Sequence, residues 1–595
     1  MCGIGGRLFG VRGDDDVRRT DTLSAALRHR GPDGDGVFSD DDVLLVHTRL
    51  ALVDVAGGAQ PLVSSNGRSA LVVNGEIYNH RALRPRLEAR GAVFRTRSDS
   101  EALLWTLLLD GAAGLVDVEG EYAFAFFDGA CRTALLGRDP LGVKPLVWCV
   151  DEGAVWFASE VKALLAVLPH RRVLDVDAVI TALVAPAFSG DRPPFIGIEA
   201  VPPGGVIEVD ARGTRLLSRH TQKAATTTTT TTTQLATALQ AAVVDRLQAD
   251  VPVGAFISGG VDSTAILAAA RTQTTSTPCF TIRFGENDVV AGSIVVEDDA
   301  RFVEPLAEAW QLDLQRVAVS RAALVDDLAA LVASQDRIVS WEQELSQRFL
   351  ARAAARRVKA VLVGDAADET WFGYAFALAD DVSASPRALL ERFGLSRRAA
   401  LLAPALRHRV DDVVAAIDDI ARSAGTPFDG DASQRRLATT AVVIDRWLSR
   451  LLHNGDLHTM AFGLEARVPF ADRRVLDVAA RVGVDDGFVV DDRADGVPEK
   501  HFLRRAVASW LPPAIAQRRK SALPRDDGMG PLWRQHLRGL LADDTTCTAL
   551  SPWLDLDAVA ALAARDDDVD DTTRAVLFSV ITFAGFLAHH APSRS

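Results

Sequence analysis

Residues 1–200 alternate short apolar runs with turn residues, as in SALVVNGEIYN (69–79), YAFAFFDGACRTALLGRD (122–139) and AVWFASE (154–160). Runs of this length predict stacked antiparallel strands, with a few helices such as SEALLWTLLLDG (100–111). This part reads as α+β. Eight consecutive threonines, Thr226–Thr233, then break the pattern. A threonine homopolymer has no apolar face to bury, which predicts an exposed connection and a domain boundary beside it. Past the tract the period lengthens. An amphipathic helix over 234–248 precedes a strand at 251–257, a helix at 263–273, the strand CFTIRF (279–284), a helix at 299–311, the strand LQRVAV (314–319), further helices through 357 and the strand KAVLVG (359–364). Strands alternating with helices predict a parallel sheet covered on both faces, whose ligands lie beyond the carboxyl ends of the strands. From 386 onward Ala-, Leu- and Arg-rich helices dominate, and a helix through DLHTMAFGLEARVPFAD (456–472) is predicted to end at Pro469.

Composition narrows the class. Hydrophobic residues make up 48% of the 595, too many for a disordered chain. No run of about 18 uninterrupted apolar residues marks a membrane span. A net charge of −14 argues against nucleic acid as the main partner, so any phosphate ligand should be small. The five cysteines, Cys2, Cys131, Cys149, Cys279 and Cys547, are scattered and never in a CxxC pair, which fits a reducing cytoplasm better than a disulfide framework or a zinc cluster. Removal of Met1 would leave Cys2 with a thiol and a free α-amino group on one residue.

Two loops after buried strands carry the chemistry of the second half. In SGGVDS (258–263), Gly259 and Gly260 permit close backbone approach, and the following helix aims free N–H groups at an anion. Asp262 there could hold Mg²⁺ between phosphate oxygens. In VGDAADETWFGY (363–374), Asp365, Asp368 and Glu369 would repel one another without a cation or positive substrate nearby, which marks a metal and acid–base cluster. Lys500 and the basic segment RRKSALP (518–524) add positive charge.

The SGGVDS loop resembles the pyrophosphate-binding loop of N-type ATP pyrophosphatases. With MCGIGG at the start, then HRGPDGDG (29–36), HTRLALVD (47–54), NGEIYN (74–79), SDSE (98–101), GRDPLGVKPL (137–146) and FASEVKAL (157–164) in order, nearly the whole chain resembles glutamine-hydrolysing asparagine synthetases. The resemblance implies an N-terminal nucleophile glutaminase domain over 2–215, with antiparallel sheets sandwiched by helices, a Thr-rich linker over 216–233, and an α/β adenine-nucleotide-binding synthetase domain over 234–590. It also implies the site. Cys2 would be the nucleophile, with its own α-amino group as base, and Asn74 and the Gly75 N–H would hold the oxyanion. Arg49, Leu50, Val53, Glu76 and Asp99 would bind glutamine. Ile257, Ser258, Gly259, Gly260, Asp262, Ser263, Ile282, Val363, Gly364 and Lys520 would bind ATP, with Mg²⁺ on Asp262 and Asp368 and catalysis by Asp365 and Lys500. Glu465 and Arg467 match a segment lining the domain interface. Glutamine, ATP and an acceptor carboxylate are the implied partners, a homodimer is compatible, and an internal tunnel would carry ammonia.

The acceptor region departs from the family pattern. DRIVSWEQELSQRFL (336–350) places Arg337 and Trp341 where an acidic motif is usual, Trp371 stands where a smaller residue is common, and Leu457 and His458 replace a basic segment. Asp365 stands where many members carry Glu. These positions are expected to surround the acceptor, so the acid activated is aspartate or another carboxylic acid, such as a specialised-metabolite intermediate. An intramolecular amide-forming cyclase, as among β-lactam synthetases, would have no use for the set Cys2, Arg49, Asn74 and Asp99.

Overall fold

A computed structural model describes residues 2–10, 16–219, 230–274, 276–284, 298–489, 499–565 and 570–590. In the N-terminal half two six-stranded antiparallel sheets stack face to face. One contains the strands Gly3–Leu8 and Val43–Arg49, and the other Ser69–Ile77 and Gly120–Asp128. Alternation along these strands sends Ile4, Leu8, Val43 and Leu45 of the first sheet against Val72, Ala125 and Phe127 of the second. The outer face of the second sheet buries Val73, Phe124 and Phe126 under the helices His80–Glu88 and Ser100–Asp110. The first packs on the helices Asp16–Leu27 and Val161–Val167, and its core runs on into the second half. Helix, sheet, sheet, helix is the layering that the alternating runs required.

The second half is built on a five-stranded parallel sheet. Its order is Leu314–Val319, Cys279–Phe284, Val253–Phe256, Ala360–Leu362 and Glu465–Arg467. The last strand corrects the expected helix through 456–472. The helix Ser449–Met460 ends early because the chain turns at Gly463, with φ +65°, and Glu465–Arg467 pairs in register with Ala360–Leu362. Pro469 instead opens a short 3₁₀ turn.

The threonine tract is also partly corrected. Thr232 and Thr233 form the first turn of the helix Thr232–Arg246, and Thr231 caps it by a reciprocal bond set with Gln234. Thr226–Thr229 lie outside the described residues. Composition alone hid one feature: the helix Asp571–His590 is long and apolar enough to cross a membrane, but 72% of its apolar window is buried inside the protein, against the helix Gly530–Leu541 among others.

Candidate active site

The strand Gly3–Leu8 starts where Cys2 is buried, and its neighbour Val43–Arg49 supports it through Thr48, whose Oγ1 accepts from Gly3 N at 3.2 Å. Cys2 N donates to Asn74 Oδ1 at 3.1 Å. This leaves Asn74 Nδ2 buried without a hydrogen-bond partner among the described residues. Burial pushes the Cys2 thiol up, against a backbone hydrogen bond from Leu50, so a base must accompany its use as a nucleophile. Gly75 follows with φ +141°, and a Cβ there would stand 2.0 Å from the Glu121 carbonyl oxygen on the paired strand. Gly75→Ala should therefore displace Asn74 and cut glutaminase turnover by about 100-fold or more, while ATP-dependent reactions of the other half persist. Separate assays of the two half-reactions check this.

Glu76 and Asp99 are buried side by side. Burial first, and then the charge of Asp99, pushes the Glu76 carboxyl well up, and burial raises Asp99 although Ile77 N donates to it at 2.6 Å. Such a pair invites a cation. One is already near: Arg467, from the edge strand of the second half, reaches to 3.6 Å from Glu76 and 2.5 Å from Glu465. Arg49 sits at its strand's end, with its guanidinium bonded to the carbonyls of Val55 at 2.9 Å, Asp54 at 2.7 Å and Val53 at 3.5 Å.

In the second half, one cavity of about 920 Å³ opens at the carboxyl end of the parallel sheet. Ile257, Ser258, Asp262, Ser263, Ile282, Val363, Gly364, Asp365, Asp368 and Lys520 all line it. Gly259, with φ +69° and no room for a Cβ, which would fall 2.6 Å from Phe302 Cβ, shapes the turn, and Gly260 is the N-cap of the helix Val261–Ala270. Lys500 joins the loops: its ammonium lies 2.5 Å from Asp262 and 2.6 Å from Asp368, and Lys520 pairs with the other Asp368 oxygen at 2.5 Å. Gly373 leaves room for this, since a Cβ there would fall 2.1 Å from Asp368 and 2.6 Å from Lys500. The acids consequently diverge. Burial drives Asp365 up to about 6 and Glu369 to about 7, the latter with help from Asp368. Asp368 resists burial because both lysines hold it at about 2. Asp262 Oδ1 is buried with no hydrogen-bond partner among the described residues, a position suited to a hard cation. Among the described residues no three or more His, Cys, Asp or Glu side chains are arranged to hold a metal ion by themselves. Two carboxylates fit an Mg²⁺ that draws its other ligands from phosphate oxygens and water.

One buried side chain links the two sites. Arg30, fully buried, donates from Nε to the Cys2 carbonyl at 3.0 Å, and from NH1 to Glu160 at 2.6 Å and to Asp456 at 2.8 Å. Asp456 belongs to the helix Ser449–Met460, whose Asn454, Gly455 and His458 line the cavity. The motif HRGPDGDG contains Arg30, but nothing in its spacing announced a contact 426 residues away.

A family model of the glutamine amidotransferase domain matches residues 1–221, and one described as asparagine synthase matches residues 234–588. The chain belongs to the asparagine synthase family. It is 29% identical to asparagine synthetase [glutamine-hydrolyzing] 3 of Bacillus subtilis over 548 residues, covering 88% of this chain and 87% of that one. It is 28% identical to asparagine synthetase B of Escherichia coli over 579 residues, covering 92% and 86%.

Against that asparagine synthase background, the departures from the family pattern separate. Trp341 and His458 line the cavity. Arg337, Trp371 and Leu457 do not, which corrects the expectation that all five surround an acceptor. Trp371 is 1% exposed and stacks on Phe502 with ring centres 6.0 Å apart, so it fills the core. Arg337 is buried and donates to the Gly190 carbonyl at 3.2 Å across the domain boundary, and Leu457 faces the interior at 1% exposure. His458 is held by Gln335 at 3.1 Å and Glu344 at 3.4 Å. Burial lowers its pKa.

Proposed function

We propose that this protein hydrolyses glutamine at Cys2 and delivers the ammonia to a carboxylic acid that it activates with ATP, yielding an amide, AMP, pyrophosphate and glutamate. The observation that carries this reading is Arg30, one buried side chain bonded both to the Cys2 carbonyl and to the helix lining the nucleotide cavity. Glutamine-hydrolysing asparagine synthetases among the relatives support it.

In the first half, Cys2 freed of Met1 would pass its thiol proton to its own α-amino group, and Sγ would attack the glutamine amide carbon. The partnerless Asn74 Nδ2 is a donor for the oxyanion, alongside the Gly75 N–H. The proton returns to the leaving nitrogen, the C–N bond breaks, and water cleaves the thioester to glutamate. Glu76 and Asp99 would take the glutamine α-ammonium, and Arg49 its α-carboxylate.

In the second half, an oxygen of the acceptor carboxylate would attack the α-phosphorus of ATP, and pyrophosphate would leave against Lys500 and Lys520. Ser258, Gly259, Gly260 and Ser263 would cradle the phosphates, with Ile257, Ile282, Val363 and Gly364 along the nucleoside. Asp262 and Asp368 would hold Mg²⁺, which neutralises phosphate charge. Ammonia then attacks the acyl carbon and AMP departs, with Asp365, ionised above about pH 6, placed to take a proton. Ammonia reaching bulk water at neutral pH would be protonated and inert, which is the physical reason to keep the two sites in one body. The five cysteines, all free, are consistent with a reducing cytoplasm.

Isotope exchange between pyrophosphate and ATP, screened over carboxylic acids, tests the adenylation step. Acid-dependent exchange is expected; a protein that hydrolyses glutamine but exchanges with no acid would sink the proposal.

A further inference from the structure

The nucleotide end of the cavity is polar, but its far wall is not. Tyr374, at the end of the acidic loop, stacks on Trp447 with ring centres 4.3 Å apart and planes within 3°. Phe393 meets Trp447 edge-on at 5.1 Å and Phe376 at 6.0 Å, and Trp341 meets Phe393 at 6.3 Å. All five rings line the cavity, and each is only half-buried, so the cluster turns open aromatic surface toward the space where a substrate would lie. Trp371, by contrast, spends its whole ring on the core. The wall begins beside the reacting groups, because the Tyr374 hydroxyl donates to Glu369 next to Asp368.

The charges around these rings suit aspartate poorly. Glu344, in the turn after Trp341, is the acid that could receive an α-ammonium there, but it is engaged by Arg450 at 3.6 Å, by His458 at 3.4 Å and by the Ser340 N–H at 3.2 Å. Arg398 lies over the Trp341 ring at 5.8 Å and Arg392 over Phe376 at 5.3 Å, which adds positive charge to the same wall. An ammonium placed there would be repelled by these two guanidiniums, which already hold the Trp341 and Phe376 ring faces that could otherwise receive a cation. A flat apolar body on a carboxylic acid would instead slot among offset and edge-on rings.

We infer that the acid activated at this site carries a planar aromatic ring, which the Trp341, Tyr374, Phe376, Phe393 and Trp447 wall selects over aspartate. This rests on the adenylation reading above and specifies its substrate class.

The experiment is ATP–pyrophosphate exchange by the full-length protein with 3-phenylpropanoate, indole-3-acetate, butyrate and aspartate, in wild type and in Trp447→Ala and Trp447→Phe. Glutaminase turnover serves as the control for folding. The ring-bearing acids should drive exchange with kcat/KM at least about 10-fold above aspartate and butyrate. Trp447→Ala should raise KM for the ring-bearing acid by about 10- to 100-fold with KM for ATP unchanged, and Trp447→Phe should restore most of it. Exchange driven best by aspartate or butyrate would overturn the inference and leave the adenylation reading standing, as would a Trp447→Ala variant with unaltered KM. Exchange with no acid at all would overturn both.

Discussion

Replacing Cys2 with alanine is expected to reduce glutamine-driven amide formation by about 1,000-fold or more, while ammonium salts still sustain synthesis at close to the wild-type rate. In the proposed mechanism the thiol sulfur is the reacting atom of the first half only. Its removal leaves the Cys2 N–H bond to Asn74 and the Arg30 bond to the Cys2 carbonyl intact, since both are made by the backbone. The domain contact and the distant cavity should therefore survive. Amide product measured by mass spectrometry with either nitrogen source decides the matter. Loss of both activities would contradict the division of labour.

The second large effect is expected at Lys500. Lys500→Met should lower ATP–pyrophosphate exchange by about 100- to 1,000-fold, because the cation that faces both Asp262 and Asp368 is the group best placed to meet the charge of departing pyrophosphate. It should also lower the melting temperature of the ligand-free protein. Breaking a buried ion pair costs about 3–5 kcal/mol when one charge is left behind, and here Asp262 loses its cation while Asp368 keeps only Lys520. Basal glutaminase turnover should be unaffected. Thermal melts of the variant and separate assays of the two half-reactions would show the split. Unchanged exchange would remove Lys500 from the chemistry.

Much of this was legible in the chain itself. The strands CFTIRF and LQRVAV fall where the sequence predicts them, and the SGGVDS loop lies between a buried strand and a helix as its glycines require. These are local signals. The helix predicted to run on to Pro469 shows the opposite case. Nothing in LEARVPF reveals that three of its residues are taken by a neighbouring strand more than one hundred positions earlier, and that pairing is what brings Arg467 to Glu76. The aromatic wall was hidden for the same reason: its rings come from positions 341, 374, 376, 393 and 447, a set that only the folded helices assemble. Trp371 misled in reverse. It stood in a functional loop as an unusual residue, yet its role is to pack on Phe502.

The seam between the halves sets a rule for anyone wishing to exchange modules. Besides apolar packing, it holds Arg30 on Asp456, Arg246 on Glu121, and Lys144 on the Ala466 carbonyl, every one of these side chains nearly sealed from water. A glutaminase grafted from another amidotransferase at the threonine tract would inherit the covalent joint but not these partners. It would entomb Asp456 without its cation and leave Arg246 with only Asp472 of its two buried acids. Chimeras should be viable only when the matching cations and acids travel together, so the transferable unit is the seam with its residues and not the domain that the sequence delimits.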